Sequence, residues 1–260
     1  MAPVSGRIAV EASAKDQRRL YDDLAWTWPI ISPPEEYVGE SENFARVISQ
    51  HASIGERSLL HLGCGGGHND HTLKLHFNVT GVDVSTPMLD LARRLNPEVM
   101  YHEGDMRSVR LDRQFDAVAI LDSVNYMLTQ DDLRDAFQTA YGHLRPGGVL
   151  LTFVEQTMQG FKQNRTRIMT RKKGDIEIAF IENYYDPDPS DSTYESTLTY
   201  LIRERGELKI ETDRHLCGIF TLNLWYDNLR SVGFDVKQMS FDDETEGGES
   251  VPLLVCVKRV

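Results

Sequence analysis

The chain has 260 residues, 40% of them hydrophobic, and a formal net charge of −12. That is core material for one large domain or one domain with an insertion, and the acidic balance argues against a nucleic-acid or anionic-membrane partner. No run of 18 apolar residues occurs, Met1 to Val10 lacks an apolar signal block, and Cys64, Cys217 and Cys256 are too scattered for a disulfide frame or metal site; a cytoplasmic protein with reduced thiols and no metal is expected.

In chain order, residues 11–26 read as a helix with Leu20, Leu24 and Ala25 on its apolar side, and Pro29, Pro33 and Pro34 then force a loop. A second helix is predicted over 36–51, where Phe44, Val47 and Ile48 fall at helical spacing. From residue 58, strands near 58–62, 78–83, 98–102, 115–121 and 148–154 alternate with helices near 69–76, 86–95 and 130–143. The strands are apolar throughout rather than alternating, as in a parallel sheet covered on both faces.

The rhythm changes after Glu155. Gly174-Asp175 and Arg205-Gly206 are hairpin signals between strand candidates at 164–173, 176–185, 193–204 and 207–217, which predicts an antiparallel sheet of four strands. Thr221 can cap a helix over 222–232 that Gly233 ends, and strands at 234–241 and 251–258 close the chain around an acidic loop at 242–250.

Two features carry the chemistry. Leu59 to Gly67 reads as a buried strand running into Gly63-Cys64-Gly65-Gly66-Gly67, where bare backbone lets a ligand lie against the peptide. Asp83 follows 20 residues after Gly63, at the end of the next strand, the position from which a carboxylate grips ribose hydroxyls. A P-loop would need Gly-Lys-Ser/Thr, but Gly67 is followed by His68 and Asn69. A dinucleotide turn would need Gly-x-Gly-x-x-Gly, and position 68 is not glycine.

The Gly63-x-Gly65-x-Gly67 turn, Glu103-Gly104-Asp105-Met106, Phe115 to Leu121 and Leu144-Arg145-Pro146-Gly147-Gly148, in this order, resemble class I S-adenosylmethionine (SAM) methyltransferases. Pro146-Gly147-Gly148 argues against a nicotinamide oxidoreductase. The resemblance implies an α/β, Rossmann-like, mostly parallel seven-stranded sheet with an antiparallel insertion after the fifth strand. It divides the chain into an N-terminal helical lid (1–57), a SAM-binding core (58–154 and 221–260) and an insertion (155–220) over the acceptor pocket. Tyr21-Asp22 and Val154-Glu155 narrow it toward the N-methyltransferases that modify amino sugars, and more loosely glycine N-methyltransferases.

For individual residues the resemblance implies that Gly63, Cys64, Gly65 and Gly67 pack near the SAM amino acid and ribose. Asp83 and Val84 would meet the ribose, Asp105 and Met106 the adenine, and Leu121 the end of the fourth strand. Met88 either packs on adenine or belongs to helix core. His61 stands where the family carries an acid, two residues before the first glycine, and Tyr126 where the sugar-modifying group carries histidine. Asn125 and Tyr126 face the methyl acceptor or else start a helix with a core aromatic. Tyr21 is a lid over SAM or a buried tyrosine.

Methyl transfer is an in-line displacement that needs aligned reactants, and an ammonium must lose a proton first. Tyr126, Glu155 and Asn125 are therefore the candidate catalytic residues, with His215 weaker, because a lone strand histidine is more often satisfied core. The basic run Arg165, Arg167, Arg171, Lys172, Lys173 is a solvated face or an anion site for a small acceptor. Transfer to nitrogen is expected ahead of oxygen, and the rival reading is a SAM-binding partner or sensor without catalysis. The free edges of the inserted sheet offer a surface for a homodimer.

Overall fold

In the computed structural model, which describes residues 17–53, 55, 57–243 and 249–259, the chain enters through two helices, α1 (Trp28–Ile31) and α2 (Val38–His51). The alternating part follows as β1 (Ser58–Leu62), α3 (His68–Leu73), β2 (Asn78–Asp83), α4 (Thr86–Leu95), β3 (Met100–Glu103), β4 (Phe115–Ile120), α5 (Gln130–His143) and β5 (Leu144–Phe153). Four strands come next: β6 (Arg165–Lys173), β7 (Ile176–Tyr185), β8 (Thr193–Glu204) and β9 (Glu207–Gly218). Helix α6 (Leu222–Val232), β10 (Phe234–Asp243) and β11 (Glu249–Lys258) finish the chain.

The main sheet has seven strands in the order β10-β11-β5-β4-β1-β2-β3, with β11 antiparallel to both its neighbours and the other pairs parallel. Strands β1 and β4 are buried along their whole length, which is why they are apolar on both faces. The strand order reverses between β1 and β4, so a crevice opens at their carboxyl ends, where open α/β sheets take their ligands. Helices α4, α5 and α6 start where sequence predicts, because Ser85, Thr129 and Thr221 each accept a main-chain N–H of the first turn. The second sheet is the meander β6-β7-β8-β9, turned at Gly174 (φ 61°) and at Arg205-Gly206 (φ 50° and 88°).

Four expectations change. Pro29 does not force a loop: it stands in the first turn of α1, where its fixed φ and missing N–H are tolerated, and Pro34 opens a 3₁₀ turn over Pro34–Tyr37. The helix predicted over 11–26 is absent in its described part, and residues 11–16, like Met1 to Val10, lie outside the described residues. Instead 3₁₀ turns form at Arg19–Tyr21 and Ala25–Thr27, because Arg18 is left-handed (φ 47°) and the Leu20 N–H leaves the helical ladder for the Asp213 carboxylate at 2.7 Å. The Pro146-Gly147-Gly148 turn is a bulge inside β5: Gly147 has φ 76°, and pairing with β4 slips between Phe115 and Ala117. The acidic loop is shorter than expected, since Asp242 and Asp243 belong to β10, and 244–248 lie outside the described residues.

The N-terminal part divides: α2 packs on the main core through Phe44, Val47 and Ile48, whereas residues 20–31 pack on the second sheet. Leu20, Leu24, Ile30 and Ile31 bury against Ile178, Phe180, Leu198 and Tyr200. Among the described residues no helix is long and apolar enough to cross a membrane.

Candidate active site

The turn after β1 is built from three left-handed glycines, Gly63 (φ 74°), Gly65 (φ 51°) and Gly67 (φ 74°). The Gly63 and Cys64 N–H groups donate to the Val82 carbonyl at 2.7 and 3.0 Å, which ties the turn to the end of β2. There the Asp83 carboxylate accepts from the Gly65 N–H at 2.8 Å and the Ser85 N–H at 2.9 Å. Burial pushes the Asp83 carboxyl above its usual range despite those two bonds. It thus both clamps the loop and stands in the crevice.

That crevice is a cavity of about 510 Å³, in the range of small-molecule sites. Tyr21, His61, Gly63, Cys64, Asp83 and Val84 reach its wall, as do Asp105, Met106 and Leu121. Met88 does not: it is buried inside α4, with its methyl 3.5 Å from where a Cβ on Gly65 would stand, and is core. Gly65 also stands behind the wall and acts through its N–H. Asp105 is engaged by Arg107, whose guanidinium also reaches Asp132 at 2.6 Å; the Arg107 hydrogen bond holds the Asp105 carboxyl below its usual range.

His61 is buried, and its Nδ1–H donates to Asp70 at 2.7 Å. Tyr101 donates to the other Asp70 oxygen at 3.1 Å, and Asn96 donates to Tyr101 at 3.0 Å and to the Gly67 carbonyl at 2.8 Å. The acid missing at position 61 therefore stands one layer behind it, supplied by α3. Sequence reading missed Asp70, and also His68. The His68 ring stacks on Trp28 at 5.7 Å, burial lowers its pKa to about 4, and its Nδ1 is buried without a hydrogen-bond partner. Trp28 lines the cavity, while Trp26 is largely exposed and does not.

A second cavity of about 230 Å³ lies between the main sheet and the meander. Tyr21, Trp28, Tyr37, Asp122 and Tyr126 line both cavities and form their common boundary. Asn125 and Glu155 line the second, with the Asn125 amide donating to Glu155. Glu36, Glu40, Asp122 and Glu182 add further carboxylates, against the single arginine Arg167. The basic run divides: Arg167 faces the cavity, Arg171 pairs with Glu36 at 2.8 Å and Lys172 with Glu177 at 2.6 Å.

His215 is satisfied and buried, as a strand histidine commonly is, yet it also lines the second cavity. Its Nε2 meets Asp213 at 2.7 Å and its Nδ1 meets the Tyr126 hydroxyl at 2.7 Å; Tyr126 meets the Tyr21 hydroxyl at 2.8 Å. Asp213 was missed in sequence, although Asp213-x-His215 on a strand puts both side chains on one face. Burial holds both tyrosine hydroxyls protonated well above their ordinary range.

A family described as a methyltransferase domain matches residues 59–148. The chain is 35% identical over 119 residues to dTDP-3-amino-3,4,6-trideoxy-alpha-D-glucopyranose N,N-dimethyltransferase of Streptomyces venezuelae, covering 45% of this chain and only 50% of that protein's length. It is 32% identical over 244 residues to dTDP-4-amino-2,3,4,6-tetradeoxy-D-glucose N,N-dimethyltransferase of Saccharopolyspora spinosa, covering 85% of this chain and 93% of that one. Its fold matches the crystal structure of Streptomyces venezuelae DesVI with a TM-score of 0.78 at 23% identity, over 91% of this chain and 96% of that one. Similarity that runs through both sheets of the chain, and not the glycine turn alone, makes it a member of the class I S-adenosylmethionine-dependent methyltransferases.

Proposed function

We propose that this protein moves a methyl group from SAM to the nitrogen of a small-molecule amine. The observation that carries the reading is the pair of cavities meeting at Tyr21 and Tyr126, one built on the glycine turn and one lined by carboxylates. When bound, SAM supplies an electrophilic methyl carbon on a sulfonium whose departure leaves a neutral thioether.

The residues of the first cavity fit that donor. Asp83 offers a carboxylate to a ribose diol, and the bare Gly63 lets the turn lie directly against Ser123 and Met106 in the cavity wall. The unpartnered Nδ1 of His68 is an acceptor suited to the donor's ammonium. His61, Cys64 and the Gly65 N–H would support the amino-acid and ribose end, with Val84 beside the ribose. Asp105, Met106 and Leu121 would surround the adenine.

In this reading residues 17–57 cover the donor, 58–154 with 221–260 hold it, and 155–220 roof the acceptor. Glu155, oriented by Asn125, draws the acceptor's ammonium toward the boundary, and the Tyr126 hydroxyl positions it. With Glu36 paired to Arg171, four further carboxylates line a cavity that holds one arginine, which favours an amine over a neutral hydroxyl, so nitrogen is methylated in preference to oxygen. The relatives' names point to amino sugars on a nucleotide carrier, and Arg167, with Arg165 two residues away on β6, is suited to the carrier's phosphates.

The test is S-adenosylhomocysteine production from SAM with dTDP-4-amino-2,3,4,6-tetradeoxy-D-glucose and with its 4-hydroxy counterpart. Turnover of the amine alone is expected. SAM binding without turnover across a broad panel of amines would leave the non-catalytic reading. Arg165→Ala with Arg167→Ala should raise the acceptor KM by roughly tenfold or more, as loss of a charge-assisted hydrogen bond does, and leave SAM affinity intact. Unchanged acceptor kinetics would remove the phosphate role. The same reading includes a homodimer, with Ile168, Leu208 and Ile210 exposed on the meander; a monomeric mass at micromolar concentration would exclude it.

A further inference from the structure

The geometry points to a proton relay, Tyr21–Tyr126–His215–Asp213, that strips the acceptor's ammonium before methyl transfer; it rests on the amine reading above. Three links of 2.7 to 2.8 Å join a carboxylate buried in the meander to the hydroxyl shared by both cavities.

The direction of every bond follows from its buried end. Asp213 also accepts from the Leu20 N–H at 2.7 Å and the Arg214 N–H at 2.8 Å, so it serves as an acceptor throughout. The His215 Nε2 must then carry the proton it donates, which leaves the neutral ring's Nδ1 as an acceptor. The Tyr126 hydroxyl donates to that Nδ1 and so receives the Tyr21 O–H. The Tyr21 oxygen remains free to accept a proton from the acceptor.

One proton is moved. The ammonium N–H bond breaks as an O–H bond forms at Tyr21. The Tyr21 proton passes to Tyr126 and the Tyr126 proton to His215 Nδ1. The amine keeps its lone pair, no phenolate accumulates, and the imidazolium is matched by the Asp213 carboxylate. The proton leaves to water after the product departs. The charged and titratable groups around the chain are the Arg18 guanidinium, 4.6 Å from the Tyr126 ring centroid, Cys217 beside both tyrosines, Asp83 and Asp122 near Tyr21, and Tyr200 near Asp213. Tyr21 touches the acceptor in this scheme, whereas His215 and Asp213 act through the tyrosines.

The test has two arms on the full-length protein. Long-range ¹H–¹⁵N NMR of labelled imidazoles should show His215 with Nε2 protonated and Nδ1 bare, and Tyr126→Phe should shift the Nδ1 resonance. A protonated Nδ1 in the wild type at neutral pH, or a resonance indifferent to Tyr126→Phe, overturns the relay. Kinetics with dTDP-4-amino-2,3,4,6-tetradeoxy-D-glucose form the second arm. Tyr126→Phe and His215→Gln should lower kcat by about 100-fold at neutral pH, and His215→Gln, which lies off the wall common to both cavities, should leave acceptor KM and SAM affinity little changed. The loss should shrink toward about pH 9.5, where an amine arrives already deprotonated. A loss independent of pH overturns the relay. If the wild type does not turn this compound over, the amino-sugar assignment fails and the imidazole spectra alone decide the relay.

Discussion

Gly63→Ala is expected to lower the melting temperature by about 5–15 °C. A methyl group at this position would stand 1.9 Å from the Ser123 hydroxyl oxygen and 2.4 Å from the Ser123 Cβ. Rotating Ser123 moves the hydroxyl but not its Cβ, so the backbone after β4 has to shift. The left-handed φ of 74° adds about 1–2 kcal/mol for any residue with a Cβ. Overpacking adds roughly 1–3 kcal/mol. Together that is a large share of a domain's stability of about 5–15 kcal/mol. Gly39 and Gly142 are the controls: both are helical with nothing within 4 Å of an added Cβ, so alanine there should be neutral or stabilising by up to about 1 kcal/mol. Calorimetric melting of the three variants settles the matter, and a Gly63→Ala protein melting like wild type would mean that the turn does not approach Ser123 as described.

Asp83→Ala should weaken SAM binding by at least 100-fold, which titration calorimetry measures directly. The carboxylate has two functions and alanine removes both. The acceptor for the donor's hydroxyls goes, at about 1.5–3 kcal/mol for charge-assisted bonds. The clamp on the Gly65 and Ser85 N–H groups goes too, which frees the loop that the donor must lie against. Wild-type affinity in this variant would count against the whole donor site. The same group sets a pH dependence. Its pKa in the folded protein lies above the unfolded value because burial outweighs its hydrogen bonds, so ionising it costs the empty fold stability as pH rises through that range. The ionised form offers a ribose diol two charged acceptor oxygens, whereas the protonated form turns one of them into a donor and loses the charge. SAM affinity should therefore fall as pH drops into the raised carboxyl range, sooner than an ordinary aspartate would dictate, and Asp83→Ala should abolish that dependence.

Much of the donor half is legible in sequence because it is local. A buried parallel strand is apolar on both faces, a left-handed turn requires glycine, and a helix start requires a capping hydroxyl; each leaves its mark within a few residues. β1, α4, α5, α6 and the two hairpins of the meander follow from such marks, and the order of the motifs brought the methyltransferase family and its donor into view. The main misses are set by tertiary contacts. The propensity that suggests a helix through Leu20 and Leu24 loses to an aspartate 193 residues further on, which takes the Leu20 N–H. His61 looks like a loss of charge until Asp70 folds in behind it. His215 looks like ordinary core until Tyr126, 89 residues away, meets its free nitrogen. Asp213 and Tyr126 stand far outside any local window, and Asp70, nine residues from His61, carries no local sign that it folds behind that ring.

The strap Arg19–Tyr21 is stitched on both sides. Its Arg19 guanidinium holds Glu211 at 2.8 Å, and the Tyr21 carbonyl accepts the hydroxyl of Ser85, the residue that caps α4. The wall common to both cavities is thus committed to the donor, and a substitution there disturbs SAM binding whatever else it does. Divergence toward new acceptors is thereby steered to the opposite wall, where Arg167, Met169, Phe180, Glu182 and Leu198 project from the meander and can vary without touching the donor. Evolution, or a designer, would retune the choice of amine on those strands first.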